Sequence, residues 1–165
     1  MNYGKIKPCD IANGEGVRVS VCVSGCPHRC KGCFNPELWN YEAGQVFDLE
    51  TINEILNLCE KPYITGLSLL GGEPLDPNNL SLLNMLCHVF KRYFPQKNIW
   101  CYTGYKWEDI KQLYIMKHID VLVDGQFVEE LKDPRLNFRG SSNQRIIDVK
   151  KSFDSGNVFV RKDLM

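Results

Sequence analysis

The most constraining feature of the sequence is a strand-like stretch that runs directly into a cysteine-rich loop. Val17–Val23 alternates valine with other residues, and a period of two residues is typical of a β-strand. The run Ser24–Asn35 follows at once and carries three cysteines. We therefore expect this loop to extend from the carboxyl end of a strand.

The spacing of these cysteines suits an iron–sulfur cluster. Cys26, Cys30 and Cys33 lie in a loop that opens with glycine and proline and continues into Phe34. Thiolates so arranged can hold three irons of a cubane and leave the fourth without a protein ligand. An iron with an open position can bind a small molecule.

A zinc site is the alternative for the same loop, because zinc also accepts closely spaced thiolates. His28 or Cys22 could complete a tetrahedron. However, Cys22 is expected on the strand, facing away from the valines, and neither residue supplies the second, separated ligand pair of a zinc ribbon. The loop therefore favours a cluster over zinc.

The chain has eight cysteines, which in a secreted protein could form a disulfide framework. Its first residues lack the apolar core of a signal peptide, and no stretch is long enough to span a bilayer. We therefore expect a reducing cytoplasm, free thiols and no membrane. Four cysteines without a ligand pattern are assigned to packing: Cys9, Cys59, Cys87 and Cys101.

Length and charge indicate one domain over residues 1–165 and no nucleic-acid partner. A chain of 165 residues with 44% hydrophobic content can bury a sizeable core. The 20 basic and 20 acidic residues cancel, which argues against a polyanion as the main partner.

Helical and strand patterns alternate along the chain. Asp48 can cap a helix that begins at Leu49, and Asp76-Pro77 can begin a helix that continues to Phe94. Short apolar stretches predict strands. They are Ile64–Leu70, Ile99–Tyr102 and Ile119–Val123 and, further on, Arg145–Val149 and Val158–Val160.

This alternation predicts an α/β fold of parallel βα units, with the chemistry-bearing motifs at strand ends along one rim. A complete eight-fold barrel takes about 250 residues. A chain of 165 residues therefore favours a partial, incomplete TIM-like barrel.

One of these motifs is the turn Gly71-Gly72-Glu73-Pro74, which follows a predicted strand. Alone, it is a common strand-to-loop turn. Glycines let the backbone approach a ligand closely, and a carboxylate or exposed carbonyl can accept bonds from an ammonium group.

Together these motifs resemble the radical S-adenosylmethionine superfamily and, within it, the activating proteins of anaerobic ribonucleoside-triphosphate reductase. The resemblance covers nearly the whole chain. It rests on the cysteine loop with Asn35-Pro36, the Gly-Gly-Glu-Pro turn, and the segments Asp10–Arg18, Tyr102–Tyr105, Val123–Gly125 and Arg139–Arg145.

The resemblance implies one 4Fe-4S cluster on Cys26, Cys30 and Cys33, and S-adenosyl-L-methionine as second cofactor. Reductive cleavage of that cofactor gives a 5'-deoxyadenosyl radical, which takes a hydrogen atom from a glycine of the large reductase subunit. No catalytic residue beyond the cluster and the cofactor is implied. The residues implied to bind the cofactor are Gly32, Cys33, Phe34, Asn35, Gly71, Gly72, Glu73 and Pro74.

Two further positions have two readings. Thr103 and Asp124 lie at predicted strand ends and could line the nucleoside or methionine portion, although polar residues there are often caps or turn formers. The segment Arg139–Arg145 could hold cofactor or dock the partner.

The resemblance also implies reduced flavodoxin or a similar electron donor, and a homodimer or a heterotetramer with the reductase. One alternative is a small radical enzyme acting on a free small molecule, like 7-carboxy-7-deazaguanine synthase. Another is a noncatalytic iron–sulfur or zinc module, which the Gly-Gly-Glu-Pro turn disfavours.

Overall fold

Seven strands form one open sheet in the computed structural model, which describes residues 1–165. In chain order they are β1 (Asn2–Asp10), β2 (Val17–Val23), β3 (Gln45–Val46), β4 (Ile64–Gly71), β5 (Asn98–Tyr102), β6 (Val121–Asp124) and β7 (Arg145–Asp148). Across the sheet the order is β3-β1-β2-β4-β5-β6-β7.

Four α-helices accompany the sheet: α1 (Leu49–Cys59), α2 (Pro77–Tyr93), α3 (Trp107–Ile110) and α4 (Val149–Ser155). Short 3₁₀ turns lie at Pro36–Trp39, Tyr114–Lys117, Glu129–Leu131 and Lys162–Leu164. None of the helices combines the length and apolarity that crossing a bilayer requires.

Local capping explains where the two long helices begin. At the start of α1, the Asp48 carboxylate accepts the Thr51 amide at 3.0 Å while the Thr51 hydroxyl accepts the Asp48 amide at 3.4 Å. At the start of α2, the Asp76 carboxylate accepts the Asn78 amide at 2.9 Å. The structure therefore confirms both predicted helices. Their starts could be predicted because each capping residue and its partner are only two or three positions apart in the sequence.

The centre of the sheet is parallel, as predicted, since β2, β4, β5 and β6 all run in the same direction. The outer strands differ, because β1 pairs antiparallel with both β2 and β3, and β7 pairs antiparallel with β6. Residues 11–16 connect β1 to β2, and this connection is too short for the crossover that parallel neighbours need. The expected α/β class is confirmed, but the expectation of purely parallel βα units is wrong at both edges.

Two further strand predictions differ in detail. Arg145–Val149 forms β7, although Val149 already begins α4. Val158–Val160 is not a strand, and only Val160 makes an isolated bridge, to Ile147. Backbone hydrogen bonds join Phe159 to Asp148 and Arg161 to Ile146, but the pairing ends there because a 3₁₀ turn begins at Lys162.

The two faces of the sheet have different surroundings. Alternate residues of the central strands join the side chains of α1 and α2 in one cluster of 26 buried residues. The opposite face carries mainly polar side chains on β2 and β4 and a small apolar cluster on β5 to β7, formed by Trp100, Val121, Val123 and Ile146. Residues on the helix side include Val19, Val21, Leu67, Leu69 and Ile99, and those opposite include Ser20, Cys22, Ser68, Trp100 and Tyr102.

The cysteines outside the loop divide by burial. Cys59, Cys87 and Cys101 belong to the helix-side core, which confirms their assignment to packing. Cys22 is buried on the opposite face, away from the valines. Cys9 is exposed, so its assignment to packing is wrong. The short strand β3 pairs only with Asn2 and Tyr3 at the other end of β1 and does not cover Cys9.

Candidate active site

One cavity of about 430 Å³ collects the principal motifs at the carboxyl ends of the central strands. Cys26, Cys30 and Cys33 line it together with Gly72 and Glu73 of the turn after β4. Ligand sites of α/β sheets commonly lie at this edge. The fold therefore brings together two motifs that are some 40 residues apart in the chain.

Backbone hydrogen bonds fix the first part of the cysteine loop. The Gly25 amide donates to the Leu38 carbonyl at 2.9 Å, and the Cys26 amide donates to Trp39 at 3.2 Å. Within the loop, Arg29 adopts a left-handed conformation with φ of 47°. The loop thus turns sharply between its first and second cysteines.

The donor set of this loop fits an iron–sulfur cluster. All three thiols are free and partly buried, and burial raises the pKa of Cys26 and of Cys30. No three cysteine, histidine or acidic side chains in the chain converge tightly enough for a single metal ion. Three thiols in one cavity match the three cysteine ligands of a cubane with one open iron, whereas a structural zinc site needs four protein ligands.

His28 is not available as a metal ligand, although it lies inside the loop. Its Nε2 lies 2.9 Å from Glu73 Oε2, and its Nδ1 lies 2.9 Å from Gln126 Nε2. Both ring nitrogens are therefore engaged by other side chains. The zinc alternative loses its proposed fourth ligand from the loop.

The Gly-Gly-Glu-Pro turn packs backbone to backbone on the start of the cysteine loop. The Gly72 amide donates to Val23 at 2.7 Å, and the Glu73 amide donates to Gly25 at 2.8 Å. A Cβ atom on Gly72 would lie 2.5 Å from the Gly25 carbonyl oxygen. Glycine is therefore required at position 72 for this close approach.

The carboxylate of Glu73 is buried and fully engaged within the protein. Oε1 accepts the Thr103 hydroxyl at 2.8 Å and the Leu75 amide at 2.9 Å. Oε2 accepts the Gly104 amide at 2.8 Å and faces His28. Among the acceptors of the turn, the carbonyl oxygen of Gly72 receives no hydrogen bond from the protein.

Most of the residues implied for cofactor binding line the cavity, but three do not. Gly32 is exposed, Pro74 is buried, and Asp124 borders a neighbouring polar cavity of about 1030 Å³. Those that line the cavity are Cys33, Phe34, Asn35, Gly71, Gly72, Glu73 and Thr103.

Part of the segment Arg139–Arg145 forms one wall of the cavity, which Arg139, Gly140 and Gln144 line. Gln144 Oε1 accepts the amides of Gly140 and Ser141 at 2.9 and 3.1 Å, while its Nε2 donates to Gly125 at 3.0 Å. An Arg139 Nη1 donates to the Gln144 carbonyl at 2.8 Å. These polar side chains therefore build a rigid turn against the end of β6.

Aromatic and long polar side chains complete the lining of the cavity. The rings of Phe34 and Phe127 pack at 5.2 Å between centroids, and Gly140 lies against both. The Tyr102 hydroxyl and Arg139 Nε are buried without partners. Lys5, Lys7, Leu136 and Phe138 also line the cavity. Like Phe127, they belong to none of the motifs recognised in the sequence, so sequence reasoning missed them.

Comparisons with known proteins agree with this site. A family model described as a 4Fe-4S single cluster domain matches residues 12–147. Anaerobic ribonucleoside-triphosphate reductase-activating proteins are similar over most of their length. That of Enterobacteria phage T4 is 47% identical over 146 residues, covering 88% of this chain and 93% of the relative.

Two bacterial proteins of the same description extend the comparison. The Haemophilus influenzae protein is 44% identical over 150 residues, 88% of this chain and 97% of its own. The Escherichia coli K12 protein is 43% identical over 148 residues, 87% of this chain and 96% of its own. These identities span both the cysteine loop and the turn, and the chain, with its 4Fe-4S single cluster domain, belongs to the family of anaerobic ribonucleoside-triphosphate reductase-activating proteins.

Proposed function

We propose that this protein activates an anaerobic ribonucleoside-triphosphate reductase by forming a glycyl radical on its large subunit. The observation that carries the proposal is the single cavity shared by three free thiols and the Gly-Gly-Glu-Pro turn. The family relationship supports it. It also favours a reductase over a free small molecule as substrate.

When bound, a 4Fe-4S cluster and S-adenosylmethionine would supply the difficult chemistry: one electron for reductive cleavage of the sulfonium to methionine, and a 5'-deoxyadenosyl radical that would take a hydrogen atom from the glycine. The protein contributes orientation and exclusion of water. No side chain is needed as a general acid or base.

The residues that hold these groups follow from their chemistry. Cys26, Cys30 and Cys33 would bind three irons as thiolates, and the Asn35 amide already donates to Cys33 Sγ at 3.4 Å. The free carbonyl of Gly72 would accept the cofactor's ammonium group. Since the Glu73 carboxylate is already engaged, its role is to hold the turn.

The remaining predicted residues would contact the adenosyl part or hold neighbouring groups in position. Phe34, with Phe127, would flank the adenosyl part. Thr103 acts through Glu73, to which its hydroxyl donates. Gly32 and Pro74 shape their turns. Asp124 fixes the end of β6 through Trp107 and Arg145.

The wider setting is part of the same proposal. A glycine on a large protein must reach the cavity, and Phe34 at its rim is 61% exposed.

We assign residues 1–165 to one radical S-adenosylmethionine domain and describe the open sheet as an incomplete TIM-like barrel. Eight free thiols suit a reducing cytoplasm. Reduced flavodoxin as donor, and a homodimer or heterotetramer with the reductase, complete the proposal.

Electron paramagnetic resonance on anaerobically reconstituted, reduced protein tests the first half of the proposal. We expect a cubane signal that shifts when S-adenosylmethionine is added, with about four irons per chain. Cys30→Ala should lose or alter this signal, whereas Cys9→Ala, which changes an exposed thiol outside the cavity, should retain it. Stoichiometric zinc with no cubane signal would overturn the proposal.

The substrate is tested by adding the reductase. A glycyl radical signal should appear on the reductase only when cofactor, reductant and this protein are all present. Cofactor cleavage that proceeds without any such signal, and that responds instead to a small molecule, would contradict the choice of substrate.

A further inference from the structure

The cysteine loop and the Gly-Gly-Glu-Pro turn follow different strands, so something must fix the distance between them. Backbone bonds join them only at the start of the loop, where Gly72 and Glu73 bond to Val23 and Gly25. Beyond Cys26 the loop turns away through the left-handed Arg29. The contact that reaches back from this part of the loop to the turn is made by His28.

The imidazole of His28 is held on every side. Besides Glu73 and Gln126 at its two nitrogens, it packs edge-on against Tyr105 with 4.6 Å between centroids. A Cβ atom on Gly104 would lie 2.4 Å from its Cδ2. The ring is therefore wedged between the turn after β4, the turn after β5 and the loop after β6.

Glu73 is the group on which these segments meet. Its carboxylate receives donors from Leu75 in its own turn, from Thr103 and Gly104 after β5, and from His28 in the cysteine loop. With the Gln126 amide nitrogen at Nδ1, the hydrogen-bond network assigns the remaining proton to Nε2, which donates to Glu73.

We propose that His28 is a positioning residue that sets the spacing between the iron-binding thiols and the cofactor-binding turn by donating from Nε2 to Glu73. The inference rests on the proposed function, because it concerns where S-adenosylmethionine binds. A molecule that must reach from an iron to the turn binds well only if both ends are held at the correct separation. His28 bonds to neither cofactor and acts through Glu73.

The test uses two variants that each preserve one half of the imidazole. In His28→Gln the amide nitrogen can occupy the place of Nε2 and still donate to Glu73, whereas in His28→Asn the shorter amide reaches only the place of Nδ1. Arg29→Gln is the matched control in the same loop, because the Arg29 side chain is exposed and has no hydrogen-bond partner in the protein.

The measurements are iron content and the dissociation constant of S-adenosylmethionine, titrated through its effect on the reduced cluster signal. All three variants should retain about the wild-type iron content. His28→Asn should raise the dissociation constant about tenfold, the scale of one hydrogen bond to a charged group. His28→Gln should restore most of this loss, and Arg29→Gln should match the wild type.

Amide hydrogen exchange gives a readout independent of the cofactor. In His28→Asn, but not in His28→Gln, exchange should be faster in the peptides covering residues 72–75 and 103–105. Equal affinity in His28→Asn and the wild type would overturn the inference, as would a defect confined to iron content or one that His28→Gln fails to correct. If the wild type itself holds no cluster or binds no cofactor, the proposed function fails instead.

Discussion

Arg145 and Asp124 form a two-point ion pair directly across the ladder between β6 and β7, with Arg145 Nε 2.9 Å from Asp124 Oδ1 and Nη2 bonded to Oδ2. Asp124 is buried and also accepts the Trp107 amide at 2.8 Å. The same guanidinium contacts Glu108 on α3. This pair therefore joins the end of β6 to β7 and α3, beside the cavity that holds the three cysteines.

Replacing Arg145 should destabilise the protein because it leaves the buried carboxylate of Asp124 without its cation. We expect Arg145→Met to lower the free energy of unfolding by about 2–3 kcal/mol, somewhat less than for a fully buried pair, since the Arg145 side chain is one-third exposed. Urea denaturation measures this loss. Arg135→Met is the control, because Arg135 pairs with Asp133 at 88% side-chain exposure and its replacement should leave stability almost unchanged. Similar losses in both variants would contradict this account.

The parts of the fold that depend on neighbouring residues could be predicted from the sequence. The alternation in Val17–Val23 predicted β2, and Asp48 and Asp76 predicted the starts of α1 and α2. By contrast, β1 contains glycine, proline and lysines, which hide its strand character. It forms because β2 supplies a partner, and pairing of this kind has no local signature.

The candidate site also has parts that could be predicted from neighbouring residues and parts that could not. The cysteine spacing and the glycine turn were recognisable as motifs, and the fold places them in one cavity. The engagement of Glu73 by Thr103 and Gly104 was not predictable, because these residues are some 30 positions away and meet Glu73 only through the register of β4 and β5. The same holds for Asp124 and Arg145.

Cysteine reactivity should separate the exposed thiol from those in the core. Burial raises the pKa of Cys59 and of Cys87 to about 12, so at pH 8 both remain protonated as well as shielded. In the cluster-loaded protein we expect iodoacetamide to modify Cys9 rapidly and the core thiols only after unfolding.

Removing the metal provides the comparison for this experiment. Chelation of iron should expose Cys26, Cys30 and Cys33 to alkylation while Cys59 and Cys87 stay protected. Mass spectrometry of proteolytic peptides locates each modification. Rapid labelling of Cys59 or Cys87 in the folded protein would contradict the burial of these two thiols in the core.

Adding one methyl group at Gly72 should disturb the site more than adding one at a remote glycine. The new Cβ in Gly72→Ala would meet backbone atoms of Gly25, which cannot move aside as a side chain can. We expect a stability loss of roughly 1–3 kcal/mol from this overpacking and a weaker affinity for S-adenosylmethionine.

Gly156→Ala is the control for that experiment. Gly156 ends α4 with φ of 71° and has no atom within 4 Å of an added Cβ. Its replacement should cost about 1 kcal/mol through left-handed strain and leave cofactor affinity unchanged. Calorimetric or spectroscopic titration with the cofactor distinguishes the two variants, and equal affinity in both would show that the turn tolerates displacement.

His118 should make the stability of the protein depend on pH near neutrality. Burial lowers the pKa of His118 below 6.5, and the charges of His88, Lys91 and Lys117 lower it further; its ring packs between His88 and Tyr114. The folded state therefore disfavours the extra proton that the unfolded chain binds readily. The resulting stability is present above about pH 6.5 and is lost as the pH falls through the lower, folded-state pKa.

The comparison that isolates this effect is His118→Gln, whose side chain does not titrate. Urea midpoints at pH 7.5 and pH 5.5 give the free energy of unfolding of both proteins at each pH. Between pH 7.5 and pH 5.5 the wild type should lose more stability than His118→Gln does, because only the wild type has a side chain at position 118 that must stay unprotonated in the folded state. A difference that stays constant between the two pH values would show that the His118 ring accepts its proton as easily in the folded protein as in the unfolded chain.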